Sequence, residues 1–107
     1  MSLKARRRYS AEELRSIVAP IAEKHGVEKV YLFGSVARGD FNENSDYDFC
    51  VDAGRIRDYD DLAHLVRDME DAIRSEVDVI TLGGVKQDSR LMNNIRRDGI
   101  VVYSRTA

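Results

Sequence analysis

Apolar positions recur along the chain with two different periods, and the alternation between them divides it into elements. Leu14, Ile17, Val18 and Ile21 fall on one side of a 3.6-residue period, with Ser10 and Glu13 spaced as a capping box ahead of them and Gly26 placed to close the helix. Pro20 lies inside that pattern, where its missing N–H predicts a kink or an early end. Val27, Val30, Tyr31 and Phe33 are β-branched or aromatic and predict a strand over 27–33, stopped by Gly34-Ser35. Residues 36–45 are mostly polar and read as a short helical turn plus a loop.

A second strand is expected over 47–51, followed by turn-forming residues at Asp52 and Gly54. Leu62, Leu65, Val66, Met69 and Ile73 then mark one face of a long amphipathic helix, whose early acids, Asp58, Asp60 and Asp61, suit the positive end of the helix dipole. Val77, Val79, Ile80 and Leu82 predict a third strand ended by Gly83-Gly84; Leu91, Met92 and Ile95 predict a shorter helix ending near Gly99; and Ile100–Tyr103 reads as the last strand. Strands interleaved with helices predict an α/β (α+β) fold, a small mixed or mostly parallel sheet with helices packed on it.

Composition narrows the function classes. A chain of 107 residues, 43% hydrophobic and 34% charged, has the size and the apolar mass of one globular domain, expected over 1–107. A net charge of -2 supplies no global positive field, so direct DNA binding is not expected, and neither is a membrane surface. The basic cluster Lys4, Arg6, Arg7 and Arg8 is expected to belong to a flexible amino-terminal segment, 1–9, without a function of its own. No apolar stretch approaches the ~20 residues that span a bilayer, and the amino terminus does not read as a secretory signal, which predicts a cytoplasmic protein. Cys50, between Phe49 and Val51, has no partner for an internal bridge and reads as a core residue in a reducing compartment. His25 and His64 lack ligand-like spacing and are expected to be structural or exposed, so zinc is not supported. Tyr9, Tyr47, Tyr59 and Tyr103 are candidate interface groups by residue type.

The chemistry concentrates between Leu32 and Val51. Asp46 and Asp48 are one residue apart at the predicted second strand, so both carboxylates can leave one face while Tyr47 and Phe49 turn to the other. Like charges side by side favour a divalent cation between them, and oxygen donors suit magnesium. Gly34-Ser35 follows a strand directly, where glycine permits close approach of a phosphate to the backbone and the serine hydroxyl can donate to it. Ten residues separate Ser35 from Asp46, enough to return the chain beside the first strand, and Arg38 in the same turn can neutralise a triphosphate. Asp78, between Val77 and Val79, is expected to join the carboxylates, the alternative being that it merely faces solvent. Three carboxylates holding two Mg²⁺ ions beside a phosphate cradle are suited to in-line phosphoryl or nucleotidyl transfer, and the absence of a Walker A motif argues against a P-loop ATPase.

These residues resemble the signature of the minimal nucleotidyltransferases of the DNA polymerase beta superfamily. Gly34-Ser35, Asp46, Asp48 and Asp78 match it residue by residue, and Arg38-Gly39 and Ser45 match its fuller form. More narrowly, the chain is similar to the stand-alone MNT-type antitoxins of HEPN/MNT toxin–antitoxin pairs, and the resemblance covers nearly all of it. It implies a polymerase-beta-like fold, ATP as nucleotide donor and two Mg²⁺ ions held by Asp46, Asp48 and Asp78, with Gly34, Ser35, Arg38 and Ser45 around the nucleotide. It also implies AMP transfer to a tyrosine hydroxyl of a small helical HEPN-type toxin in a hetero-oligomer. Two other readings are a small-molecule nucleotidyltransferase of the aminoglycoside-modifying kind and a non-catalytic antitoxin that acts by occlusion.

Overall fold

The computed structural model describes residues 9–39, 47–84 and 89–105, with Ser35 and Arg38 described by backbone alone. The expected amino-terminal segment therefore lies outside the described residues, except for Tyr9. Helix α1 (Ala11–His25) starts at the capping box, with the Ser10 hydroxyl accepting from the Glu13 N–H while the Glu13 side chain accepts from the Ser10 N–H. It ends at Gly26, whose left-handed φ of 71° lets its N–H reach the carbonyls of Ala22 and Glu23. Pro20 does not shorten the helix, contrary to the expectation. Its ring lies on the exposed side, and Leu14, Val18 and Ala22 bury the opposite stripe through the full length of α1.

The remaining elements are β1 (Lys29–Phe33), α2 (Gly34–Arg38), β2 (Tyr47–Asp52), α3 (Tyr59–Ile73), β3 (Val77–Thr81), a 3₁₀ turn (Leu82–Gly84), α4 (Arg90–Asp98) and β4 (Ile100–Ser104). Leu82 thus leaves the third strand for the turn, and the helical turn expected after Ser35 starts at Gly34. The caps of α3 and α4 repeat the logic of α1: Asp58 Oδ1 accepts from Asp61 N–H and Ser89 Oγ from Met92 N–H.

The four strands form one sheet in the order β3-β2-β1-β4. β2 and β3 are parallel, but β1 pairs antiparallel with both β2 and β4. The expectation of a mixed sheet holds, while a mostly parallel one is corrected. The reason lies in α2, whose five residues extend about 7.5 Å, too short to carry the chain back along a strand. The chain therefore reverses into β2, whereas α3 joins the parallel neighbours β2 and β3, and α4 carries the chain from β3 across the sheet to β4, which runs in the same direction.

Alternation gives the sheet two unlike faces. On one, Val30, Leu32, Tyr47, Phe49, Val51, Val77 and Val102 pack with Leu14, Val18 and Ala22 of α1 and Leu65, Met69 and Ile73 of α3 into the buried core. Tyr47 belongs to this core, at 1% exposure, so it is not an interface group; its hydroxyl accepts from the Tyr9 N–H at 3.3 Å. The opposite face carries Tyr31, Phe33, Asp48, Cys50, Asp78 and Ile80, and there α4 packs on β1 beside α2. Glu28 and Glu76 carbonyls extend the sheet's hydrogen bonding, accepting from Arg105 and Tyr47 N–H.

The helices over the core are also pinned by polar contacts. His25 Nε2 lies 2.7 Å and Lys24 Nζ 3.3 Å from Asp68 Oδ2, joining α1 to α3. The His25 hydrogen bond, then that of Lys24, holds the Asp68 carboxyl below its ordinary pKa of 3.8. A depressed carboxylate pKa contributes stability that is present above the ordinary value and is lost as pH falls through the lowered one. Asp68→Asn is expected to lower Tm at pH 7, with the difference from the unsubstituted protein shrinking on acidification below the ordinary carboxylate range. Thermal unfolding followed by circular dichroism across pH 7 to 3 checks this, and a difference independent of pH contradicts it.

Candidate active site

The register between the parallel strands β2 and β3 sets Asp48 directly beside Asp78. Adjacent strands run about 4.8 Å apart, so the two side chains leave the same face as neighbours. Asp48 is half-buried, whereas Asp78 is exposed. Burial therefore does not explain an acid between Val77 and Val79, which turn their own side chains to the core side. What distinguishes Asp78 is its carboxylate neighbour across the ladder.

On the other side of Asp48, its partner in the antiparallel pairing is Phe33, the last residue of β1, and the next residue is Gly34. Gly34 has φ 78°, a left-handed conformation that side chains rarely adopt. A Cβ there would lie 2.2 Å from Asp48 Oδ2 and 3.1 Å from its Cγ. The absent side chain is thus what lets the first residue of α2 sit against the carboxylate. The sequence pointed to Gly34 as a place of close approach for a phosphate; the contact with Asp48 was not legible, because it joins residues fourteen apart across a strand pair.

The sequence-predicted site residues divide as follows. Gly34, Asp48 and Asp78 come together at one end of the sheet. Ser35 and Arg38 lie in α2, which begins at the same point. Ser45 and Asp46 lie outside the described residues. Among the described residues no three His, Cys, Asp or Glu side chains are grouped to hold a metal ion. The described donors are nonetheless two carboxylates on one face, hard oxygen ligands of the kind that suit Mg²⁺, at a place cleared by a glycine. That donor set fits a divalent cation.

Other titratable groups stand apart from this chemistry. Cys50 is on the same face but fully buried; its thiol is pushed up to about 11, first by burial and then by the nearby Asp52 charge, so it stays protonated and a poor ligand at neutral pH. His25 is tied to Asp68, and His64 is exposed on α3.

The model of the family described as "Polymerase beta, Nucleotidyltransferase" matches residues 16–107. A Methanocaldococcus jannaschii protein that carries the provisional name protein adenylyltransferase is 37% identical over 73 residues, which is 68% of this chain and 78% of that protein. A solved structure provisionally described as a minimal nucleotidyltransferase is 34% identical, with a TM-score of 0.69 over 80% of this chain and 86% of its own. The fold also superposes, with a TM-score of 0.67 and 18% identity, on a chain from the complex of a tri-AMPylated Shewanella oneidensis HEPN toxin with its MNT antitoxin, covering 91% of this chain and 75% of that one. With the family model spanning most of its length, the chain belongs to the polymerase beta nucleotidyltransferase family.

Proposed function

We propose that this nucleotidyltransferase moves AMP from ATP to a tyrosine hydroxyl of a HEPN-type partner and thereby acts as its antitoxin. The observation that carries the transfer chemistry is the register of Asp48 with Asp78 beside the left-handed Gly34. The protein acceptor is supported by the provisional adenylyltransferase name of the archaeal relative and by a fold shared with chains from toxin–antitoxin complexes.

In this reading Asp46, Asp48 and Asp78 would together hold the two Mg²⁺ ions. The ions, when bound, neutralise charge on the reacting phosphate and favour deprotonation of the acceptor hydroxyl. Ser35 and the backbone N–H groups of the Gly34 turn hold the β- and γ-phosphates, with Arg38 and Ser45 beside them. The acceptor oxygen forms a bond to the α-phosphorus as the bond from that phosphorus to the β-bridging oxygen breaks. Pyrophosphate leaves, and the hydroxyl proton passes to Asp78 or to water. The carboxylates pay for their proximity in the empty site, and cation binding offsets that repulsion.

Incubating the purified protein with ATP, Mg²⁺ and its co-purifying partner is expected to add one or more AMP units to the partner's intact mass. Asp46→Asn and Asp48→Asn are each expected to slow that addition at least 100-fold while complex formation persists. A tight complex with unmodified masses throughout contradicts the enzymatic reading and favours occlusion. Gly34→Ala is a second test, since a left-handed Ala costs about 1–2 kcal/mol and its Cβ must displace the Asp48 carboxylate. Transfer is expected to fall at least tenfold in the fraction that remains folded by circular dichroism, and an unchanged rate contradicts the placement of Asp48.

A further inference from the structure

The sheet has two edge strands, and they are not finished alike. At β4 the register shifts between Val30 and Tyr31, and Arg15 Nε–H donates to the Val101 carbonyl at 3.2 Å, so an irregularity and a side chain close that edge. At β3 the register with β2 is unbroken from the Tyr47–Val77 pair to the Val51–Thr81 pair. The outer side of β3 is the one that keeps a regular strand.

Parallel pairing settles which backbone groups of β3 face outward. In a parallel ladder a residue bonds the two residues that flank its partner, so alternate residues of a strand point both N–H and C=O to the same side. Tyr47 N–H donates to the Glu76 carbonyl at 3.3 Å, which turns Glu76, Asp78 and Ile80 toward β2 and leaves Val77, Val79 and Thr81 facing away. The Val77 N–H agrees with this, since Glu70 Oε2 accepts from it at 3.4 Å from outside the sheet. That leaves the Val79 N–H and C=O and the Thr81 N–H. Among the described residues none of the three has a hydrogen-bond partner.

Beside this edge lies a largely apolar surface that the transfer chemistry does not use. One groove, of about 340 Å³, runs from Thr81 and Gly83 to Tyr59 and Leu62; a second, of about 440 Å³, continues from those two residues along α3 past Val66 to Glu70. Glu70 is the residue that meets Val77, so the strip accompanies the edge over its length. Tyr59 is 88% exposed at the head of α3, a large ring held in solvent. The charges around the strip choose its occupant. Helix α3 carries Asp60, Asp61, Asp68, Glu70 and Asp71 against the single arginine Arg67, so a second copy added through its own β3 would set two acidic helices side by side. A basic segment meets attraction there instead.

We infer that the outer edge of β3, with the strip on α3, binds an extended basic segment of the partner polypeptide, which adds to the sheet as a further strand. This inference rests on the protein partner proposed above and not on the transfer step. Amide exchange followed by NMR tests it on the full-length chain, alone and saturated with the co-purified HEPN-type partner. Alone, the Val79 and Thr81 amides are expected to exchange faster than those of Asp78 and Ile80, which β2 protects; the partner is expected to slow both at least tenfold. Thr81→Pro removes an outward N–H without touching the ladder to β2, and Tyr59→Ala trims an exposed side chain. Each is expected to weaken partner binding at least fivefold, to leave α,β-methylene ATP binding in Mg²⁺ within twofold, and to keep a cooperative thermal transition. Should Thr81→Pro not fold, the exchange rates and Tyr59→Ala decide. Unchanged exchange at Val79 and Thr81 in the complex overturns the inference, as does partner affinity that neither folded variant alters or that is indifferent to salt. Protection that rises with protein concentration in the absence of partner also overturns it and gives the edge to a second copy. A complex formed through this edge with no AMP added to the partner supports the inference and refutes the transfer step, whereas no complex at all overturns both.

Discussion

The parallel pairing of β2 with β3 is the constraint on which the rest of the site depends. It places Asp48 level with Asp78, so a slip of one residue would turn one of the two carboxylates into the core. Such a slip is opposed from the other face. Tyr47 and Phe49 are buried level with Val77 and Val79, and exchanging either pair for an acid would bury a charge without a partner. The apolar face therefore fixes the register, and the register sets the distance between the acids.

This arrangement divides the sheet into a face buried in the core and a face that carries the two acids. α1 and α3 close the first with a continuous core, reinforced where His25 and Lys24 meet Asp68. On the second, α4 covers part of the surface and leaves Asp48, Asp78 and Gly34 at one end. Like charges in register and a left-handed residue that tolerates no Cβ do nothing for stability. Their cost is borne by the core behind them, which is where strained and unfavourable features are tolerated in a small enzyme.

What the sequence made legible follows the range of each interaction. The capping box, the glycine stop of α1 and the apolar stripes of α1 and α3 depend on residues three or four apart, and they stand as read. The face of Asp48 was legible for a different reason, because strand alternation alone puts it opposite to Tyr47 and Phe49. Strand direction was not legible: interleaved helices suggest crossovers, and only the length of α2 decides against one. The exposure of Asp78, the burial of Tyr47 and the contact of Gly34 with Asp48 all depend on which strand lies beside which. No local pattern reports that. Met92 and Ile95 showed that α4 has an apolar side, but not that this side, with Tyr31 and Val101, leaves a groove on the face that carries Asp48 and Asp78.

The claim that Asp78 and its neighbours form a divalent cation site is tested most directly by thermal unfolding in chelator and in Mg²⁺. Asp78→Asn removes one of two like charges at an exposed position, so it is expected to raise Tm in chelator. Mg²⁺ is expected to raise Tm of the unsubstituted protein, because a ligand that binds only the folded state stabilises it, and to raise the variant's by clearly less. An unsubstituted protein indifferent to Mg²⁺, together with a variant that melts lower in chelator, would contradict the account and leave Asp78 as a structural residue.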